Sequence, residues 1–154
     1  MDVYLIRHAH AGSRSGGSQD KYRQLSDKGK ARAEAIAELF ASIDVCRIVS
    51  STATRCVQTV EPLAASKGLA VKETDVLWEG GPIDQVLALL ERHVDKGLVA
   101  CSHGDIIPEL IDWLGDNGTN LSGHGCEKGS IWVLTHDGKR WTNGRKVGKH
   151  AESI

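Results

Sequence analysis

Leu98-Val99-Ala100-Cys101-Ser102-His103-Gly104 joins four consecutive apolar residues to a hydroxyl, an imidazole and a glycine. So short an apolar run, with helical periodicity on both sides, reads as a strand buried on both faces of a parallel sheet. The helix before it is expected over Ile83 to Val94, with Val86, Leu87, Leu89, Leu90 and Val94 on its apolar side. The helix after it is expected over Ile106 to Leu114, where Pro108 is tolerated because it falls in the first turn. A strand between two helices points to α/β layering, and the alternation continues outward in both directions.

Toward the N-terminus, Arg47 to Ser50 reads as a strand feeding a helix that bears Val57, Val60, Leu63 and Ala64 and stops at Gly68. Pro62 is expected to kink or break that helix. Ala70 to Lys72 suggests a further short strand, and Val3 to Ile6 the first one. Between them, Ser26 is a suitable N-cap for a helix over Lys28 to Ser42, whose core face is Ala35, Ile36, Leu39, Phe40 and Ile43. Gly12 to Ser18, polar and glycine-rich, reads as a mobile loop. Toward the C-terminus, Asp116 to Gly129 lacks periodicity and is expected as a long loop. Ser130 to Thr135 then reads as a strand, Asp137-Gly138 as a turn and Trp141 to Val147 as a weak partner strand.

No repeat or low-complexity tract interrupts this pattern, so residues 1–154 are expected to form one α/β domain. Lysines and arginines number 19 against 20 acidic residues, giving a net charge of -1, so no global field favours nucleic acid or an anionic membrane, and neither is expected as a partner. No apolar run approaches the ~20 residues of a membrane helix, and Met1 leads directly into the first strand; the expectation is a cytoplasmic protein. The four cysteines, Cys46, Cys56, Cys101 and Cys126, show no paired spacing and read as reduced, mostly buried thiols. The basic residues Lys139, Arg140, Arg145, Lys146 and Lys149 read as the solvated face of an edge strand.

In open parallel sheets, ligands bind beyond the carboxyl ends of the strands. Those positions are occupied here by Arg7 and His8, by Ser51, Thr52 and, one helical turn later, Arg55, and by Ser102, His103 and Gly104. Two guanidiniums and two imidazoles at helix N-termini make an anion pocket, and a phosphoryl group suits it because arginine forks match phosphate oxygens. A neutral imidazole can attack phosphorus if its other nitrogen is held by a hydrogen bond, and a carboxyl group must protonate the departing oxygen. Glu79, before Gly80-Gly81, is the best-placed acid, with Asp20 and Asp75 as rivals. His8 and His10 could instead share a zinc ion, but Arg7 is a poor neighbour for a divalent cation and no further ligand pair stands at a suitable spacing. No metal or other cofactor is expected.

Four motifs in order resemble the histidine phosphatase, or phosphoglycerate mutase-like, superfamily. They are Leu5-Ile6-Arg7-His8-Ala9, Leu25-Ser26-Asp27-Lys28-Gly29 with Ala33, Ser50 to Thr59 with Arg55 and Gln58-Thr59, and Cys101-Ser102-His103-Gly104. The resemblance implies a three-layer αβα sandwich with a mostly parallel central sheet, transient phosphorylation of His8, and a phosphate clamp of Arg7, Arg55 and His103. Glu79 resembles the family's proton donor, and Arg23 adds a third cation. Arg23-Gln24-Leu25 departs from the Arg-Pro-Leu of short relatives.

In size the chain is similar to bacterial phosphohistidine phosphatases. Arg7 to Gly12, Glu61 to Ala65, Ile107 to Ile111 and Lys128 to Leu134 resemble the phosphatase half of actinobacterial two-domain Nudix hydrolases, whose Nudix half has no counterpart among these residues. The expected substrate is a phosphorylated small molecule, nucleotides included, or a phosphohistidine protein. The alternative is a phospho-ligand-binding regulatory module with little turnover, partnering a separate Nudix hydrolase; the two histidines favour the enzyme. The loops Gly12 to Tyr22 and Gly118 to Lys128 are expected to shape specificity.

Overall fold

The computed structural model describes residues 1–13 and 17–154. The loop expected over Gly12 to Ser18 therefore includes three positions, 14–16, that lie outside the described residues. Among the described residues, seven strands form one sheet: β1 (Asp2–Arg7), β2 (Arg47–Ser50), β3 (Val71–Glu73), β4 (Leu98–Ser102), β5 (Asn120–Ser122), β6 (Ile131–His136) and β7 (Trp141–Lys146). Their order is β3-β2-β4-β1-β6-β7-β5. The first four are parallel neighbours, β6 runs antiparallel to both β1 and β7, and β5 is parallel to β7.

The strands alternate by residue between two cores, as their period of two requires. Val3 and Leu5 of β1, with Leu98 and Ala100 of β4, join the cluster that holds α3 (Ile83–Arg92) and α4 (Ile106–Asp116). Tyr4 and Ile6, with Val99 and Cys101, join the opposite cluster with α1 (Asp27–Leu39) and α2 (Thr54–Lys67). Two helices cover each face, so the layers are αβα. Ile36 and Phe40 of the expected α1 face are fully buried, whereas Ala35, Leu39 and Ile43 are half-buried. No helix among the described residues is long and apolar enough to cross a membrane.

Three expectations are corrected. Pro62 neither breaks nor ends α2, which is continuous from Thr54 to Lys67. A helix-interior proline costs about 3 kcal/mol, and the burial of Val60, Leu63 and Ala64 on both sides of it outweighs that cost. The stretch Asp116 to Gly129 is not all loop, since β5 lies within it and takes the sheet edge, leaving β7 internal rather than at the edge. Three residues are too few for a readable period, and their pairing comes from β7 through Asn120↔Asn143 and Ser122↔Arg145. Finally, all four cysteines are free, but only Cys56 and Cys101 are buried; Cys126 is half-buried and Cys46 exposed.

Candidate active site

The site is assembled where parallel strands end. Arg7 lies opposite Ser102 across the β1–β4 pair, and Ser50 opposite Cys101 across β2–β4. The next residues in each chain segment, His8, Ser51 and His103, therefore emerge at one edge. The ladder continues one step past the strands, with the His8 N–H donating to the Ser102 carbonyl at 3.0 Å and the Ser51 N–H to the Cys101 carbonyl at 3.0 Å.

His8 is 5% exposed. Its Nδ1 lies 2.8 Å from the Ala9 carbonyl, which can only accept, so Nδ1 carries the hydrogen and Nε2 keeps a free lone pair. Burial pushes its pKa down to about 3, and the nearby His103, Arg55 and Arg7 push the same way against the opposing pull of the Ala9 carbonyl bond. The ring is thus neutral at ordinary pH. The Ala9 N–H donates to Thr59 Oγ1 at 3.0 Å, and that hydroxyl donates to the Arg55 carbonyl at 2.7 Å, which ties the segment after β1 to the first turns of α2.

His103 packs edge-to-face on His8, with centroids 5.6 Å apart, and on Trp78 at 5.4 Å. Its Nε2 meets Ser51 Oγ at 2.8 Å, while Nδ1 lies 3.4 Å from both Arg55 Nη2 and Glu79 Oε1. Gly104 follows because a Cβ there would stand 2.5 Å from Cζ of Arg7; the glycine leaves room for the guanidinium. Arg7 Nη1 donates to the Cys126 carbonyl at 2.7 Å. Arg55 is fully buried, with Nη2 donating to Glu79 Oε1 at 2.6 Å and Nη1 to the Asp20 carbonyl at 3.0 Å. The Nε groups of Arg7 and Arg55 are buried with no hydrogen-bond partner. Arg7, with an unmatched donor, stands beside two imidazoles on the same wall, which makes a place for a multiply accepting anion.

An open cavity of about 730 Å³ is lined by Arg7, His8, Arg23, Glu79 and His103. Arg55 does not line it and stands behind Glu79, whose carboxylate occupies its guanidinium. Arg23 reaches the wall by donating from Nη1 to the Gly12 carbonyl at 3.0 Å, with Nε 3.3 Å from Asp20 Oδ1. Of the rival acids, Asp20 is buried against Arg55 and Arg23, and Asp75 lies away from the cavity, accepting from Thr52 Oγ1 at 3.2 Å. Glu79 is the one of the three that faces the open space.

The cavity also contains Asp105 and Lys128, which sequence reasoning missed, and His10. Asp105 accepts from the Ile106 N–H at 2.9 Å and from the Gly80 N–H at 2.8 Å, so it caps α4 and anchors the loop that carries Glu79. Its place at the start of a helix was a readable signal. Lys128 ends the unperiodic loop expected to shape specificity, but no pattern within that loop singled it out. His10 is separately engaged, its Nδ1 2.7 Å from Ser26 Oγ, and among the described residues no group of three or more His, Cys, Asp or Glu is arranged to hold a metal ion.

Comparison with known proteins identifies the fold and the family. A structure of the protein histidine phosphatase SixA complexed with tungstate aligns with a TM-score of 0.75 and 21% identity over 96% of this chain and 95% of that one. A mycobacterial glucosyl-3-phosphoglycerate phosphatase complexed with VO3 aligns with a TM-score of 0.73 and 20% identity over 97% and 99%. These likenesses establish the fold. An 8-oxo-(d)GTP phosphatase of Mycolicibacterium smegmatis is 30% identical over 140 residues, 86% of this chain but 44% of its own length. Thus the chain spans less than half of that curated relative. The sequence profile of the histidine phosphatase superfamily, branch 1, matches residues 3–82, just over half of the chain and the part that carries Arg7, His8, Arg55 and Glu79; this chain belongs to that superfamily.

Proposed function

We propose that this protein is a phosphatase that transfers the phosphoryl group of a small phosphomonoester, a nucleotide or a phosphohistidine to His8 and then to water, without a cofactor. The observation that carries the reading is the locked neutral tautomer of His8, with Nε2 unprotonated beside two arginines and a second histidine. A binding module needs the cations but not that nucleophile. The similar proteins named above are a protein histidine phosphatase, a glucosyl-3-phosphoglycerate phosphatase and an 8-oxo-(d)GTP phosphatase, and a phosphoryl group is the common element of those names.

The incoming phosphoryl group is gripped by Arg7 on the cavity wall and competes with Glu79 for Nη2 of Arg55. His8 Nε2 attacks phosphorus in line, a P–N bond forms, and the bond to the leaving group breaks as Glu79, in its protonated form, gives that group a proton. The Glu79 carboxylate then takes a proton from water, whose oxygen attacks phosphorus, breaking the P–N bond and releasing inorganic phosphate. Asp105 keeps the Glu79 loop in place through Gly80.

The test is His8→Ala, assayed with p-nitrophenyl phosphate and a phosphohistidine protein. Turnover should fall to background while inorganic phosphate still binds through Arg7, Arg55 and His103. Substantial residual turnover overturns the proposal.

A further inference from the structure

A second cavity, of about 490 Å³, shares Arg7, His10 and Lys128 with the active-site cavity and is lined further by Lys28, Arg32 and Lys149. Five lysines and arginines thus border one space in a chain whose net charge is -1. The single acid on its wall, Glu127, is paired with Lys146 Nζ, which holds its carboxyl below the usual range. Among the described residues Lys28, Arg32, Lys128 and Lys149 have no ion-pair partner within 4 Å.

The cavity is also shaped, not merely charged. Gly129 takes a positive φ of 79°, and a Cβ there would stand 2.7 Å from Cγ of Arg32, so the glycine lets the arginine lie flat on the turn. Arg32 Nε donates to the Gly129 carbonyl at 3.1 Å, which fixes the fork, and among the described residues no hydrogen bond engages either terminal nitrogen. The same turn is bolted to the nucleophile's segment, because the Gly129 N–H donates to the carbonyls of Arg7 and His8. The second cavity is therefore held in register with the first.

We propose that this cavity binds a second phosphoryl group on the same substrate molecule, so that the preferred substrate is a small bisphosphorylated compound, cleaved at the group next to His8 and gripped by the other. The inference rests on the phosphatase reading above and extends it to substrate class. A phosphoryl dianion matches a fixed guanidinium fork together with several ammonium groups. A single carboxylate would leave most of that charge uncompensated. Both cavities are of the size of small-molecule sites, and Arg7 borders both, so one ligand can pass from the first to the second along it.

The experiment uses straight-chain diols of three to six carbons, each as its monophosphate and its bisphosphate, with kcat/KM measured for both. The wild-type protein should prefer the bisphosphate by about tenfold or more, the scale of one charged hydrogen bond. The preference should peak at one chain length, beyond the statistical advantage of two ester groups. In Lys28→Ala/Lys149→Ala, two exposed positions whose loss does not threaten the fold, the ratio should collapse, chiefly through KM of the bisphosphate. The remote control Lys72→Ala should keep it. Equal rates for the two ligands in the wild-type protein, or a preference that survives the double substitution, overturn the inference, as does a strong preference for a phosphohistidine protein alongside equal diol rates. Turnover of p-nitrophenyl phosphate in the same preparation separates these failures from failure of the phosphatase reading, in which no substrate would react.

Discussion

His8 is kept neutral by its surroundings, and that leaves a mark on stability. Its pKa is about 3 in the folded chain and about 6.5 unfolded. Between those values the unfolded state binds the extra proton, so stability falls as pH drops from about 6.5 towards 3 and the loss is complete below the folded value. In His8→Gln this contribution is absent. Urea midpoints at pH 7 and pH 4.5 should therefore differ less in the variant than in the wild-type protein; an identical difference would show that the ring is not held neutral. Glu79 leaves a different mark, on the leaving group. Removing a general acid typically costs about 10²–10⁴-fold. Glu79→Gln should slow an alkyl phosphate on that scale and barely affect p-nitrophenyl phosphate, whose leaving group departs as a stable anion. Equal slowing of both would mark Glu79 as a loop or orienting residue instead.

At the scale of elements, the segment after β1 is positioned by the helix that follows it in sequence. Ser26 Oγ accepts from the Gly29 N–H at 3.1 Å, capping α1, and the same hydroxyl meets His10 Nδ1. A Cβ on Gly29 would stand 2.0 Å from the His10 carbonyl oxygen, a backbone atom that cannot swing away. Gly29→Ala should cost about 1–3 kcal/mol as overpacking and lower kcat, because His8 moves with His10. Thermal denaturation and the p-nitrophenyl phosphate assay check both, and an unchanged Tm and rate would mean that α1 does not set the position of His8. Elements with several apolar contacts of their own, such as β4 and α3, were legible in the sequence because local period and tertiary burial agree there. Where they disagree, reading failed: Leu121 alone anchors β5 among polar neighbours, and Pro62 contradicts a helix that packing sustains.

For the whole molecule, the convergence of Arg7, His8, His103 and Glu79 was legible because parallel strands must end at one edge, whatever their distance in sequence. The pairing of Arg55 with Glu79 was not, nor was the cationic second cavity, since each joins a helix to a loop whose approach no local pattern encodes. Lys149 shows the difference: it read as part of a solvated basic strand face, yet it borders the second cavity. The central claim is a covalent phosphoryl group on His8. It is tested by mixing the protein with a substrate labelled in its phosphoryl group, quenching in alkali, where phosphohistidine survives, and locating the label by peptide mass spectrometry. Label is expected on the peptide containing His8, stable to alkali, lost in acid, chased away by unlabelled substrate and absent from His8→Ala. Steady turnover with no label on His8, or with label on His103 instead, would contradict it.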